Sequence, residues 1–230
     1  MKAHNISNSQ DVAAKVAVLV FSKAPKLGQV KTRLATTIGE LNALNTYQAM
    51  LTVIVNRLAR LDDIDLYLSA ANELDHAFFT DLSCRYGVSG HLQSEGDLGV
   101  KMANAIDSML VHYDKVVIVG GDALSITEQS IREVVIQLSN NDLAIIPSED
   151  GGYVTIGASK TCSNIFNDID WGTERVFDQQ VKRINDNGFK AWIGEPLWDL
   201  DEYQDLERVY QCSELLAEMT HHGFTVEPLA

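Results

Sequence analysis

Short apolar runs rich in Val, Ile and aromatic residues recur along this sequence, and helical patterns separate most of them. The runs are Val16–Phe21, Ile64–Ser69, Val116–Val119, Leu143–Pro147, Tyr153–Gly157 and Phe189–Ile193, with Val88–Leu92 a less regular addition. Their length and their β-branched and aromatic content mark strands rather than helix fragments. Between them, Leu41, Leu44, Tyr47, Met50, Leu51, Ile54, Val55 and Leu58 recur at helical steps and form one apolar stripe. Thr127–Leu138 reads as a helix capped by Thr127, Thr173 opens another that runs to about Asn187, and Glu202–Met219 forms the last. Such alternation predicts an α/β fold, a mostly parallel sheet with helices on both faces. In these sheets ligands bind at the carboxyl ends of the strands, so the loops leaving those ends are where function is sought.

Nothing in the chain suggests a hinge: it has only 4 prolines in 230 residues and no Gly/Ser-rich linker. One domain is expected over residues 16–220, after a ragged polar start at 1–15 and before a polar tail at 221–230. The formal charge of -14 argues against nucleic acid or an anionic membrane as the main partner. Cys84, Cys162 and Cys212 are widely spaced and fit neither a disulfide framework nor a zinc site. They read as reduced thiols of a cytoplasmic protein. The start lacks the apolar core of a signal peptide, and no stretch approaches the ~20 apolar residues of a membrane helix. An apolar helix stripe serves a core or an interface equally well, so self-association stays open.

Against this acidic background, Val12 to Gly39 contains no Asp or Glu, and Lys23, Lys26, Lys31 and Arg33 cluster just after the first strand. A buried strand that delivers a cationic, glycine-containing loop suits an anionic ligand, most simply a phosphate. On charge alone a solvated basic loop is an equal alternative. Gly28-x-x-Lys31-Thr32 lacks the spacing of a P-loop, and no G-x-G-x-x-G follows the first strand. No Ser or Cys nucleophile motif with a partner His stands out.

Acidic residues mark other strand ends. The run Val116–Val119 ends in Gly120, Gly121 and Asp122. The glycines permit close approach to the backbone, and the carboxylate suits a hard cation such as Mg²⁺ or Mn²⁺; the plainer alternative is a turn in which Asp122 caps the next helix. Parallel topology would bring this loop to the same sheet edge as Lys23–Arg33. Asp199 and Asp201 stand two apart, on one side of an extended segment, and need a cation or protons to offset their repulsion. Asp201 could instead cap the final helix. Asp150-Gly-Gly-Tyr153 reads either as a hairpin turn or as a loop that offers a carboxylate to a second substrate. Gly96 and Asp97 precede a helix in a loop open enough for a base or ribose.

Together these residues resemble a bacterial group of glycosyltransferase A-fold enzymes linked to arsenosugar biosynthesis, formerly a domain of unknown function. The shared elements, in order, are F-x-K-x-P-x-x-G-x-V-K-T-R-L at Phe21 to Leu34, G-x-L-G-x-R-M at Gly96 to Met102 and G-[ST]-D-C-P at Gly120 to Leu124. Then come D-G-G-Y at Asp150 to Tyr153, W-[ST]-T at Trp171 to Thr173 and D-x-D-T-x-x-D-L at Asp199 to Leu206. The resemblance implies a single Rossmann-like nucleotide-diphospho-sugar transferase domain with a mixed sheet of about seven strands. It implies a nucleotide or nucleotide-sugar ligand, an unknown acceptor and a divalent metal, Mg²⁺ or Mn²⁺. By this resemblance Asp122, with Asp199 and Asp201, answers to the metal-binding acids, and Lys23, Lys31 and Arg33 belong to the phosphate-contacting loop, with Gly96, Asp97, Gly120 and Gly121 around the nucleotide.

The expected chemistry is transfer from a nucleoside-diphosphate sugar, with Asp122 and Lys31 as catalytic groups and Asp150 orienting or deprotonating the acceptor hydroxyl. The alternatives are a nucleotidyltransferase that releases pyrophosphate from a triphosphate, and a nucleotide-binding protein without turnover. Ala123-Leu124 in place of Cys-Pro keeps the last alternative alive, because a proline there would fix the backbone after Asp122. Lys101 and Glu202 likewise replace the Arg and Thr of their elements.

Overall fold

The computed structural model describes residues 14–227, so most of the segment expected to be ragged, residues 1–13, lies outside the described residues. The first strand, β1 (Val16–Ser22), is buried along nearly its whole length. Val16, Val18 and Val20 pack on one side of it, and Ala17 and Leu19 on the other. Apolar layers on both faces explain why the sequence shows a continuous apolar run there instead of alternation.

The remaining strands are β2 (Asp65–Ala70), β3 (Ser89–Leu92), β4 (Lys115–Gly120), β5 (Leu143–Pro147), β6 (Tyr153–Ala158) and β7 (Ala191–Ile193). They form one 7-stranded sheet in the order β3-β2-β1-β4-β6-β5-β7. β6 runs antiparallel to both neighbours, β4 and β5, and the other pairs are parallel. The sheet is thus the mixed, mostly parallel one that the sequence predicts.

Eight α-helices fill in the chain among the described residues: α1 (Thr32–Ile38), α2 (Glu40–Leu58), α3 (Ala77–Tyr86), α4 (Leu98–Met109), α5 (Glu128–Gln137), α6 (Val176–Asp186), α7 (Tyr203–Gln211) and α8 (Ser213–His221). Side chains of α1, α2, α3, α5, α7 and α8 share one core with the Val16/Val18/Val20 face. Those of α4, α6 and the 3-10 turn Ser163–Phe166 cover the Ala17/Leu19 face. No described helix is long and apolar enough to cross a membrane.

Three differences from the sequence reading have physical causes. The expected final helix breaks at Cys212, whose φ of -104° and ψ of 99° are extended. The break re-phases the chain so that Leu215 and Met219 return to the core already joined by Leu206 and Val209. Helix α6 begins at Val176, because Thr173 instead turns its hydroxyl back onto the Asp170 carbonyl, 2.8 Å away. The expected tail begins within α8; of its described residues, Phe224 is buried and the Val226 carbonyl accepts the Tyr210 hydroxyl at 3.2 Å, while residues 228–230 lie outside the described residues. The three cysteines are free.

Candidate active site

The loops after β1 and β4 and the segment after β7 meet at the carboxyl edge of the sheet. Gly121 makes the first junction possible. Its N–H donates to the Phe21 carbonyl at 2.9 Å, and a Cβ there would stand 2.5 Å from that oxygen. At Gly120 a Cβ would meet the Asp122 carboxylate at 2.8 Å. The close approach these glycines allow is therefore to the end of β1 and to the Asp122 side chain itself. The Asp122 carbonyl in turn accepts the Leu200 N–H at 3.0 Å, which ties the acidic loop to the segment carrying Asp199 and Asp201.

Helix caps decide which acids are free. Thr127 caps α5 through Ser130, so Asp122 is not needed there. Glu202 caps α7 in a reciprocal pair with Asp205, whose carboxylate also accepts the Asp201 N–H at 2.9 Å. Asp201 is thereby relieved of the capping role that the sequence allowed it. Both carboxylates converge on one cation: Lys31 Nζ lies 3.1 Å from Asp122 Oδ2 and 3.3 Å from Asp201 Oδ1. Arg33 takes the other oxygen of Asp201, Nη1 to Oδ2 at 3.0 Å.

Lys31 reaches this position from an unusual backbone, φ 47° and ψ 47°, at the start of α1. A non-glycine residue there costs roughly 1–2 kcal/mol, a strain that persists where the surroundings impose it. Its side chain is 5% exposed, against 43% for Asp122 and 35% for Asp201. Burial works against the ammonium, but Asp122 and Asp201 outweigh it and raise its pKa above that of an ordinary lysine. Burial likewise opposes the Asp122 carboxylate, and Lys31, helped by Lys23, more than offsets it, so this carboxyl stays below the usual range. Asp199 is the opposite case. Burial pushes it up to about 6; the Ser148 hydroxyl, donating at 2.7 Å, only partly compensates, and the charges of Asp122 and Asp150 add to the rise.

Several residues that frame this cluster carry no sequence signal of function. The Tyr47 hydroxyl holds the cationic loop by its backbone, donating to the Lys23 carbonyl at 3.0 Å and accepting the Lys23 N–H at 2.9 Å. Tyr47 sits in the apolar stripe of α2, and only its hydroxyl sets it apart from the surrounding stripe residues. Ser125 accepts the Trp198 N–H at 3.1 Å and donates to the Trp198 carbonyl, clasping the two acidic segments together. Arg57 pairs with Glu218 and donates to the carbonyls of Leu124, at 2.6 Å, and Ile126, at 3.1 Å. Side chains thus hold the loop in which proline is absent.

Other predicted residues lie elsewhere. Asp97 spends its carboxylate on the Val100 N–H at 2.9 Å as the cap of α4, directly after Gly96. Asp150 accepts the Gly152 N–H at 2.9 Å within the β5–β6 turn, the hairpin alternative realised, and is exposed. Among the described residues Lys23 forms no side-chain hydrogen bond, and it bears on Asp122 through its charge.

The residues present suit a hard divalent cation. Among the described residues no group of three or more His, Cys, Asp or Glu side chains forms a ready metal cage. Yet Asp122 and Asp201 already focus two carboxylate oxygens on a single positive group. Mg²⁺ at phosphate-handling sites is typically held by one or two carboxylates, with phosphate and water completing the shell.

A single sheet in this order is the fold of nucleotide-diphospho-sugar transferases. A candidate nucleotide-diphospho-sugar transferase of Desulfovibrio desulfuricans G20 matches it with a TM-score of 0.79 at 25% identity, over 93% of this chain and 100% of that one. The chain belongs to the family of uncharacterized proteins conserved in bacteria known as DUF2064, whose model matches residues 54–173. That match includes Asp97, Asp122 and Asp150, and it excludes Lys31 and Asp201.

A cytidylyltransferase of Leptospira borgpetersenii serovar Hardjo-bovis shares the fold more distantly, with a TM-score of 0.59 at 14% identity over 94% of this chain and 100% of that one. Among curated proteins, a 4-diphosphocytidyl-2-C-methyl-D-erythritol kinase of Prochlorococcus marinus is 26% identical over 133 residues. The match spans 58% of this chain and 38% of that protein.

Proposed function

We propose that this protein is a metal-assisted transferase that uses a nucleotide-activated donor, a nucleoside-diphosphate sugar. The observation that carries this reading is the buried Lys31 ammonium between Asp122 and Asp201, with Arg33 beside it, at the carboxyl edge of the sheet. Cations and hard-oxygen acids at one point suit a diphosphate that must be held and must leave with added charge. The Desulfovibrio protein, similar along nearly the whole chain, supports the donor class.

In this reading Asp122 and Asp201 hold the metal. When bound, it supplies Lewis-acid stabilisation to the diphosphate oxygens. Lys31 and Arg33 neutralise the charge that builds on the departing diphosphate, and Lys23 adds long-range attraction. Tyr47 keeps the loop that bears these cations in place. Asp150, exposed at the turn beside this edge, orients the acceptor hydroxyl, and Asp199, its carboxyl pushed up to about 6 by burial and by the charges of Asp122 and Asp150, takes up a proton more readily than an ordinary aspartate.

Lys23, Lys31 and Arg33, on the loop after β1 and the start of α1, also suit a triphosphate, which favours nucleotidyl transfer as the second reading. Thermal-shift and calorimetric screening of nucleoside triphosphates, diphosphates and sugar nucleotides, each with and without Mn²⁺, tests both. The expected result is a melting temperature raised most by a sugar nucleotide with Mn²⁺. Released pyrophosphate would select nucleotidyl transfer. Binding without any product would leave a nucleotide-binding protein, and no metal-dependent nucleotide binding would remove the proposal.

A further inference from the structure

We propose that Lys31 and a divalent cation occupy the Asp122–Asp201 pair in alternation, and that nucleotide phosphates admit the metal by drawing Lys31 away. The inference deepens the metal-assisted reading above and rests on it.

Three of the four carboxylate oxygens are already taken. Asp201 gives Oδ1 to Lys31 and Oδ2 to Arg33, while Asp122 gives Oδ2 to Lys31. A metal at its bonding distance of about 2.0–2.6 Å from the same oxygens would add two positive charges to a cluster in which Lys31 and Arg33 already balance the two carboxylates. The two positive groups therefore exclude each other until a further negative charge arrives. A diphosphate brings that charge and gives Lys31 and Arg33 new partners.

The mobility required is unequal. Arg33 is 63% exposed and can swing out freely, whereas the Lys31 side chain is 5% exposed and lies beneath its two partners. Lys31 is thus the element that closes the pair, on a flexible four-carbon stem whose root is fixed in a left-handed conformation. The arrangement orders binding, with nucleotide before metal or together with it.

Mn²⁺ binding, read as loss of the free-ion electron paramagnetic resonance signal, tests this without an activity assay. Wild type with Mn²⁺ alone is expected to bind at least tenfold more weakly than Lys31→Gln. Replacing Asp201 as well, in Lys31→Gln/Asp201→Asn, should abolish the gain. With CDP, UDP, ADP and GDP in turn, wild type should bind Mn²⁺ beyond what each nucleotide binds in buffer, for at least one of them. Equal Mn²⁺ affinity of wild type and Lys31→Gln, both binding without nucleotide, overturns the alternation and leaves the metal site standing. Failure of both proteins to bind Mn²⁺, with every nucleotide present, removes the metal from the proposed function itself. Should Lys31→Gln not fold, Lys31→Met and the wild-type nucleotide series carry the decision.

Discussion

Asp97 and Asp122 are alike in sequence and unlike in the fold. Each follows glycine, each lies in a loop that leaves a strand at the carboxyl edge of the sheet, and each comes before a helix. Asp97 caps its helix, with its carboxylate on the Val100 N–H. Asp122 is five residues ahead of Thr127, which caps α5 in its place. An acid near a helix start is available for chemistry only when another residue satisfies the exposed N–H groups. The same rule frees Asp201, because Glu202 and Asp205 cap α7.

The comparison breaks if the two acids respond alike to substitution. Asp122→Asn should weaken Mn²⁺-dependent nucleotide binding by at least about tenfold, or ~1.4 kcal/mol, in calorimetry. Asp97→Asn keeps a competent cap and should leave both that affinity and the melting temperature nearly unchanged.

Ser125→Ala should sharpen it. Losing both hydrogen bonds to Trp198 is expected to lower stability by about 1–2 kcal/mol in urea unfolding. It should also loosen Asp122 relative to Asp201 while leaving α4 and Asp97 untouched, a difference that hydrogen exchange resolves.

Asp199 yields a smaller, pH-dependent effect. Its carboxyl binds a proton more tightly folded, at about 6, than unfolded, so stability contributed by the protonated form is lost as pH rises from about 4 to 6. Asp199→Asn should flatten that decline, gaining on the order of 1 kcal/mol at pH 7 after solvent screening, as measured by unfolding at pH 4 and pH 7. An unchanged pH profile would show that Asp199 is not strained by burial and its acidic neighbours.

Much of the fold was legible because β1, β4, β5 and β6 are buried along nearly their whole length. Leu143–Pro147 matches the predicted run residue for residue, and the other strands differ from their runs mainly at the ends. The misses came where local pattern and tertiary need part. α1 and α3 carry few buried side chains, Leu34 and Ile38 in one and Phe79 and Leu82 in the other, too few to print a clear stripe. The break at Cys212 serves packing phase, which composition does not record.

The candidate site was legible as a set of charged loops and illegible as a geometry. Motif spacing singled out Lys31, Asp122 and Asp201, but nothing local distinguishes them from Asp97 or Asp150, which the fold uses in a cap and a turn. Tyr47, Ser125 and Arg57 were missed because their work is on backbone groups distant in sequence.

By itself the sequence determined the strand–helix alternation, the single sheet and the charge of each loop, since these follow from side-chain periodicity and composition. Only the tertiary structure decided which charges meet. Lys31 and Asp122 are 91 residues apart, and Lys31 and Asp201 170 apart. What joins them is parallel pairing of β1 with β4, the bare backbone at Gly121 and the caps that release two aspartates, relations that exist only once the sheet has formed.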